Sequence, residues 1–462
     1  MNNRLISLSI PLSLISLSLQ ASCLSGDEIN AHSDAALFFQ SAYAKRAPSL
    51  WKISGENAYA TDNVYSDAGI KLSSHCTVIE NKLDLDFTLY GLAEYASQTP
   101  GRFEKDKRRS RALINQLRMT YTVSDNLRLE GGKLQPKAGN FFLKSPSALL
   151  NNYYAGFKTN RLYDPTLRPL YMESSWGVRL VKESRDYTLS LTVVPQLASI
   201  RQRYESSSNW SANQRANADE RYHLSYTDYR LADHTPSINL LLGDSGSVSF
   251  ADSFNYTPQF MINAGLALHR AQQWRHFSPE RAAEVQHYTF PASLYDTQNK
   301  NGIELAIGGQ YTTDNFNVFG MEYYFQSEGY SRIQWKQQAD FVRYLNTNSP
   351  YDVLNQAFDS YKYLIGAEIS NVGNRGGLQG KHYINTWAAF HGENNITLQP
   401  YLVFNVMDYS SLFGVHYSTP LEDISEHLEF YTGAWGALGK QDAEFSLFGK
   451  MAGVYIGIKY FL

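Results

Sequence analysis

Between Lys133 and Glu173 the chain carries Lys133, Lys137, Lys144, Lys158, Arg161 and Arg168 against only two acids, Asp164 and Glu173. Tyr153, Tyr154, Tyr163 and Tyr171 are interleaved with these cations. Cations lining a narrow aqueous passage raise the local concentration of anions and repel other cations. Aromatic faces beside them suit carboxylates, phosphates or sugars. On a solvated loop, the same lysines would meet only water or lipopolysaccharide phosphates. Six residues form the expected pore constriction with Tyr153 and Tyr154: Lys133, Lys137, Lys144, Lys158, Arg161 and Arg168.

A second basic group is "RFEKDKRRSR", with Arg102, Lys105, Lys107, Arg108, Arg109 and Arg111. On a strand, Arg109 and Arg111 share a face. They point inward only if Ala112 and Ile114 face outward, and Leu113 and Leu117 compete for that outward face. A charged rim is the favoured reading here, and an inward arginine ladder is the alternative. Asp84, Asp86, Glu304 and Glu322 fall on the polar face of their alternating segments. Acids facing bases across a lumen either set up a transverse field that orients solutes or pair and brace the wall.

No covalent chemistry is legible. There is no G-x-S-x-G, H-E-x-x-H or C-x-x-C pattern. The 11 histidines are scattered, and His382 and His391 are too far apart to share one helical ligand face. Neither a cofactor nor a metal is expected, and a net charge of −3 argues against a general nucleic-acid binder. A barrel hydrolase assembled from distant strands is the weakest alternative.

The elements that must position these residues are strands. The final segment "GVYIGIKYFL" alternates strictly, with Val454, Ile456, Ile458, Tyr460 and Leu462 on one face and Gly453, Tyr455, Gly457, Lys459 and Phe461 on the other. A strand of about ten residues with one apolar side is long enough to span a bilayer at a tilt. "LDLDFTLY", "ALINQLRMTYTV", "GIELAIGGQY" and "ITLQPYLVF" read similarly. The composition agrees: 33 Tyr, 24 Phe and a mean hydropathy of −0.38 fit rings at two membrane interfaces around a polar lumen. Past the N-terminus no apolar run is long enough for a spanning helix.

Turn signals stand at 124–126, 183–186, 243–246, 312–315 and 392–395. The first four are about 60–70 residues apart, as expected when each short turn alternates with a long loop. The long connections are expected near 62–81, 135–173, 199–235, 271–299 and 327–360. The last should hold a helix, "SRIQWKQQADFVRYLN". The fold expected is all-β: an antiparallel transmembrane β-barrel of about 16–18 strands, with long extracellular loops and short periplasmic turns. The strand count does not reconcile over 395–450.

Residues 1–21 read as a secretory signal peptide, with a short basic start, an apolar run and a cleavage site after Ala21. That places the chain in a bacterial outer membrane, in contact with lipid and lipopolysaccharide. Residues 22–50 read as a periplasmic lead-in with a short helix, and 51–462 as the barrel. Cleavage after Ala21 leaves Cys23, which either pairs with Cys76, stays free or carries a lipid. Against lipidation, Gln20 stands where a Leu usually precedes the cysteine.

Several motifs then resemble a known group. "LRLEGGKLQPKAGNFFLKSPSALLNN", "RLYDPTLRPLYMESSWGVRLV", "MEYYFQSEGYSRIQW" and the closing "LEFYTGAWGALGKQDAEFSLFG" resemble alginate-export-like outer-membrane porins. The "GK" element is also similar to phosphate-selective porins. Both are Gram-negative channels, and the chain departs from them in ending on Leu462 rather than Phe. The resemblance implies passive, solute-selective diffusion, with Gly132, Lys133, Asp164, Pro165, Arg168, Gly329, Tyr330 and Ser331 serving loop architecture. Assembly into a homo-oligomer is left open. A second reading is a conduit or scaffold for a periplasmic export complex, motivated by the helix-like segment 34–46.

Overall fold

A computed structural model describes residues 33–53, 56–57, 63–96, 108–134, 139–150, 174–200, 210–243, 245–374 and 377–462. The final strand β20 (Lys450–Phe461) alternates as its sequence requires. Val454, Ile456 and Ile458 are exposed, while Gly453, Tyr455, Gly457 and Lys459 are buried. It pairs with β19 (Leu428–Leu438) on one edge and with β1 (Ser33–Arg46) on the other. Strand β1 in turn pairs with β4 (Val64–Ile79). Between them runs a two-residue ribbon, β2 (Lys52–Ile53) with β3 (Glu56–Asn57).

From β4 the sheet continues through neighbouring antiparallel pairs: β5 (Leu83–Tyr95), β6 (Arg108–Ser124), β7 (Leu127–Leu134), β8 (Ser175–Glu183) and β9 (Tyr187–Val194). Next come β10 (Arg221–Asp228), β11 (Ser237–Gly243), β12 (Gly246–Asn255), β13 (Phe260–Phe277) and β14 (Tyr295–Thr312). The ring ends with β15 (Val318–Gln326), β16 (His382–His391), β17 (Thr397–Asn405) and β18 (Ser410–Pro420), which meets β19. The result is a closed antiparallel barrel of 18 strands with no free edge. The even count matches the expectation.

The outer face carries an apolar belt. Leu37, Phe39, Ile70, Leu89, Ile114, Met119, Leu180, Leu224, Ile303, Ile307, Met321 and Ile456 are all at least 38% exposed. In water so large an apolar surface would drive association; in a bilayer it is the solvated face. Ser33 and the C-terminal residues lie with the short turns, since Ser33 pairs with Ser74 beside the turn after Ile79, and Ala36 pairs with Phe461. In barrels of this kind that end is periplasmic.

Three expectations are corrected. Residues 34–46 are not a periplasmic helix but strand β1, so the lead-in of 22–50 contributes to the barrel. The alternation was hidden because both faces are part apolar: Phe38, Ala42 and Ala44 are buried, while Leu37, Phe39 and Tyr43 are exposed. The helix-like segment therefore no longer motivates partner capture. The long connections at 62–81 and 199–235 contain strands β4 and β10. The turn at 243–246 joins β11 and β12 at the long-loop end, opposite the other four. Residues 395–450 form β17, β18 and β19; the sequence did not reconcile there because the first turn, after Asn405, contains no glycine to mark it and places Tyr409 at φ 59°.

Helices decorate the long-loop end: α1 (Ala212–Ala216), α2 (Pro279–Gln286), α3 (Arg332–Leu345) and α4 (Asp352–Asn374). Helix α3 is the one expected from sequence, and Ser331 caps it in a capping box with Gln334. Trp335, Phe341, Val342 and Leu345 of α3 pack with Phe358 and Ile365 of α4 and with Leu50, Trp51 and Phe277. Gly329, Tyr330 and Ser331 serve this loop. Gly329 lies against the Gly380 carbonyl, where a Cβ would stand 2.1 Å from the oxygen. The Tyr330 N–H donates to the Gln379 carbonyl at 2.7 Å.

On the inner face, rings lie flat because a glycine faces each across the ladder. Tyr431 pairs with Gly457, Trp435 with Gly453, and Tyr455 with Gly433. A Cβ on Gly457 would fall 2.2 Å from the Tyr431 ring, which is fully buried. Gly457→Val should therefore lower stability by about 1–3 kcal/mol through overpacking. The folded band on unheated gels should then vanish at a lower temperature than for the wild type, and an unchanged temperature would refute this seating.

Candidate functional site

Residues 139–150 lie inside the barrel. They reach β13, β14 and β15, and β15 stands eight strands from β7 in one direction and ten in the other. Glu322 of β15, only 3% exposed, accepts the Phe142 N–H at 2.6 Å and the Leu143 N–H at 3.0 Å. Asn385 of β16 donates to the same carboxylate at 3.4 Å. Lys144 pairs with Glu304 of β14 at 3.1 Å, donates to Gln326 at 3.4 Å and lies 5.4 Å from the Tyr324 ring centroid. Asn140 donates to Ser253 of β12 at 2.6 Å. Phe141 packs with Ala306, Tyr324 and Tyr383, and Leu149 packs with Leu241 and Ala267. The segment is thus a strap across the lumen, held by backbone N–H groups on a buried carboxylate and by one buried ion pair.

The opposite wall carries inward arginines. A bulge in β6 opposite Thr88–Leu89 lets Leu113 point in and Leu117 point out, which removes the conflict in the sequence pattern. Ala112 and Ile114 are exposed outward, so Arg109 and Arg111 lie on the inner face, as Arg118 does beyond the bulge. Arg109 and Arg111 therefore take the inward reading, whereas Arg102, Lys105 and Lys107 lie outside the described residues. Arg118 bonds Asp86 at 2.9 and 3.1 Å and lies 3.5 Å from Glu130. Arg179 of β8 pairs with Glu130 at 3.3 Å and donates to Thr192 at 3.0 Å. The Arg118 side chain remains 33% exposed. A guanidinium has five N–H donors in a fixed fork, so two carboxylates do not exhaust it.

The sequence-predicted residues therefore divide. Glu304, Glu322 and Lys144 come together at the strap. Asp86 lies across the lumen against Arg118 and His75, and Asp84 accepts from Thr77 at 2.9 Å. Lys133 is buried at 3% exposure at the end of β7, one residue after Gly132 at φ 122°. Lys137, Lys158, Arg161, Arg168, Tyr153 and Tyr154 lie outside the described residues, as do Asp164 and Pro165. Cys76 is 8% exposed and is not a free thiol, whereas Cys23 lies outside the described residues with the signal segment. Among the described residues, no group of three or more His, Cys, Asp or Glu side chains could hold a metal.

Sequence reasoning missed the aromatic pair Phe142–Trp387 and the carboxylate Glu444. Phe142 was visible only as one of two phenylalanines in "NFFLK", with nothing local to say which of the two is buried.

A closed antiparallel barrel with an apolar outer belt and a strap across its interior defines a membrane-spanning β-barrel with a narrowed lumen. Two solved structures share the fold. Pseudomonas aeruginosa OccK8 (OprE) superposes with a TM-score of 0.51 at 11% identity, covering 93% of this chain and 98% of that one. Acinetobacter baumannii OccAB1 gives 0.51 at 10% identity, covering 93% and 96%. These are Occ proteins, not the alginate-export-like or phosphate-selective porins that the motifs resemble. No protein-family model matches the chain, and no curated protein matches it either.

Proposed function

We propose that the chain is a passive outer-membrane channel for small solutes, with a preference for anions. It works without a chemical step, and its outer belt contacts membrane lipid. The support is the strap at 139–150, tethered to Glu322 and Glu304, opposite the inward arginines of β6 and β8. Such a strap narrows the lumen without closing the barrel. Guanidinium donors on the facing wall raise anion occupancy in the gap and orient planar carboxylates or phosphates by bidentate bonds.

Planar-bilayer recording across a KCl gradient tests this reading. The wild-type reversal potential should report chloride preference, and Arg111→Gln combined with Arg118→Gln should move it toward potassium. No conductance would sink the channel. Potassium preference in the wild type would sink the anion reading alone.

A further inference from the structure

Four consecutive residues of the strap behave differently. Phe141 is buried at 9%, Leu143 packs against the same cluster, and Lys144 is ion-paired, but Phe142 is 57% exposed. An apolar ring left that open inside an aqueous passage is unfavourable unless something covers it. Nor is the ring loosely placed. It stacks on Trp387 of β16, centroid to centroid at 5.2 Å and 13° from parallel. Its backbone is fixed by the bond from the Phe142 N–H to Glu322.

The support beneath it is built in layers. Trp387 faces Gly320 across the β15–β16 ladder. A Cβ on Gly320 would fall 2.1 Å from the indole ring, so only glycine lets that ring lie against the wall. Glycine, indole and phenyl thus form a rigid shelf whose last ring keeps one face for the lumen. Rigid aromatic faces take other π faces in offset stacks, and this recognition does not depend on charge.

We propose that Phe142, seated on Trp387, is a stacking subsite for solutes carrying a flat aromatic ring, including uncharged ones. The proposal rests on the channel reading but is independent of the anion preference.

Single-channel block by phenyl β-glucoside and cyclohexyl β-glucoside tests it. The two are neutral and similar in size, and only the first has a π face. The phenyl compound should reside about 3–10 times longer in the wild-type channel. Among channels that pass KCl current, Phe142→Leu should remove that difference and Phe142→Tyr should preserve it. Equal residence in the wild type, a difference that survives Phe142→Leu, or one that is lost in Phe142→Tyr overturns the subsite. A protein that passes no KCl current at all overturns the channel reading and the subsite with it.

Discussion

Glu322→Ala is expected to raise the open-channel current and make it flicker. The carboxylate holds two successive N–H groups of the strap, at 2.6 and 3.0 Å, from a position 3% exposed. Alanine removes the acceptor from both half-buried donors, at about 1 kcal/mol each. The strap does not fall away, because Lys144–Glu304, Asn140–Ser253 and the packing of Phe141 remain. It loses its central anchor, and its middle moves on the timescale of loop motion. Glu322→Gln keeps one acceptor oxygen and should lie between wild type and alanine. Single-channel recording in KCl measures all three. A Glu322→Ala channel with the wild-type current and noise would mean that residues 139–150 do not set the narrowest section. The effect is also specific to position: among the described residues Asp84, another inward acid, accepts from Thr77 of the adjacent strand, so Asp84→Asn should leave the current unchanged.

That anchor shows where sequence reading stops. Glu304 and Glu322 were legible as inward acids because strand alternation places every second residue on one face. Their partners were not, since Phe142 and Lys144 lie 180 and 160 residues away in the chain. No local pattern encodes a contact made by a loop crossing a lumen. Strand existence was readable wherever the outer face was strongly apolar, as in β20. It failed in β4, whose Asp67, Lys71 and Ser73 on one face and Ser66 and Ser74 on the other look like a loop on average. It also failed in β1, where both faces are mixed. The register of β6 was ambiguous for a physical reason: the bulge puts Leu113 and Leu117 on opposite faces although four residues separate them. Helix α3 was readable from the helical spacing of Ile333, Trp335 and Phe341, whereas α4 starts after Tyr351, which is not a capping residue type.

The wild-type protein is also expected to be more stable at pH 5.5 than at pH 8.5, and Glu444→Gln should remove most of that difference. Glu444 lies in the connection between β19 and β20, outside the spanning strands, and is half-buried. It accepts from the Tyr383 hydroxyl, from Asn405 at 2.6 Å and from the Gln379 N–H at 2.9 Å. Asp408 accepts the Glu444 N–H at 2.6 Å, which brings a second carboxylate close. Burial outweighs the three donors and, with Asp408, pushes the Glu444 carboxyl up to about 7. A carboxyl that holds its proton more tightly in the folded than in the unfolded chain stabilises the fold fully below its ordinary value of 4.5, and this contribution is lost as pH rises through about 7. The whole loss is on the order of 3 kcal/mol, of which about 2 kcal/mol falls between pH 5.5 and 8.5. It falls on a connection that also carries the cap, since Trp335 of α3 donates to the Asp442 carbonyl at 2.6 Å and Ser49 to the Leu447 carbonyl at 3.1 Å. Phe445 beside it packs in the cluster that holds Phe141 of the strap. Ionising Glu444 therefore weakens the contact between the cap, the last connection and the strap. Thermal unfolding at the two pH values, for wild type and Glu444→Gln, measures the difference. Higher stability at pH 8.5, or an equal pH dependence in the variant, would show that Glu444 is not the group that loses its proton.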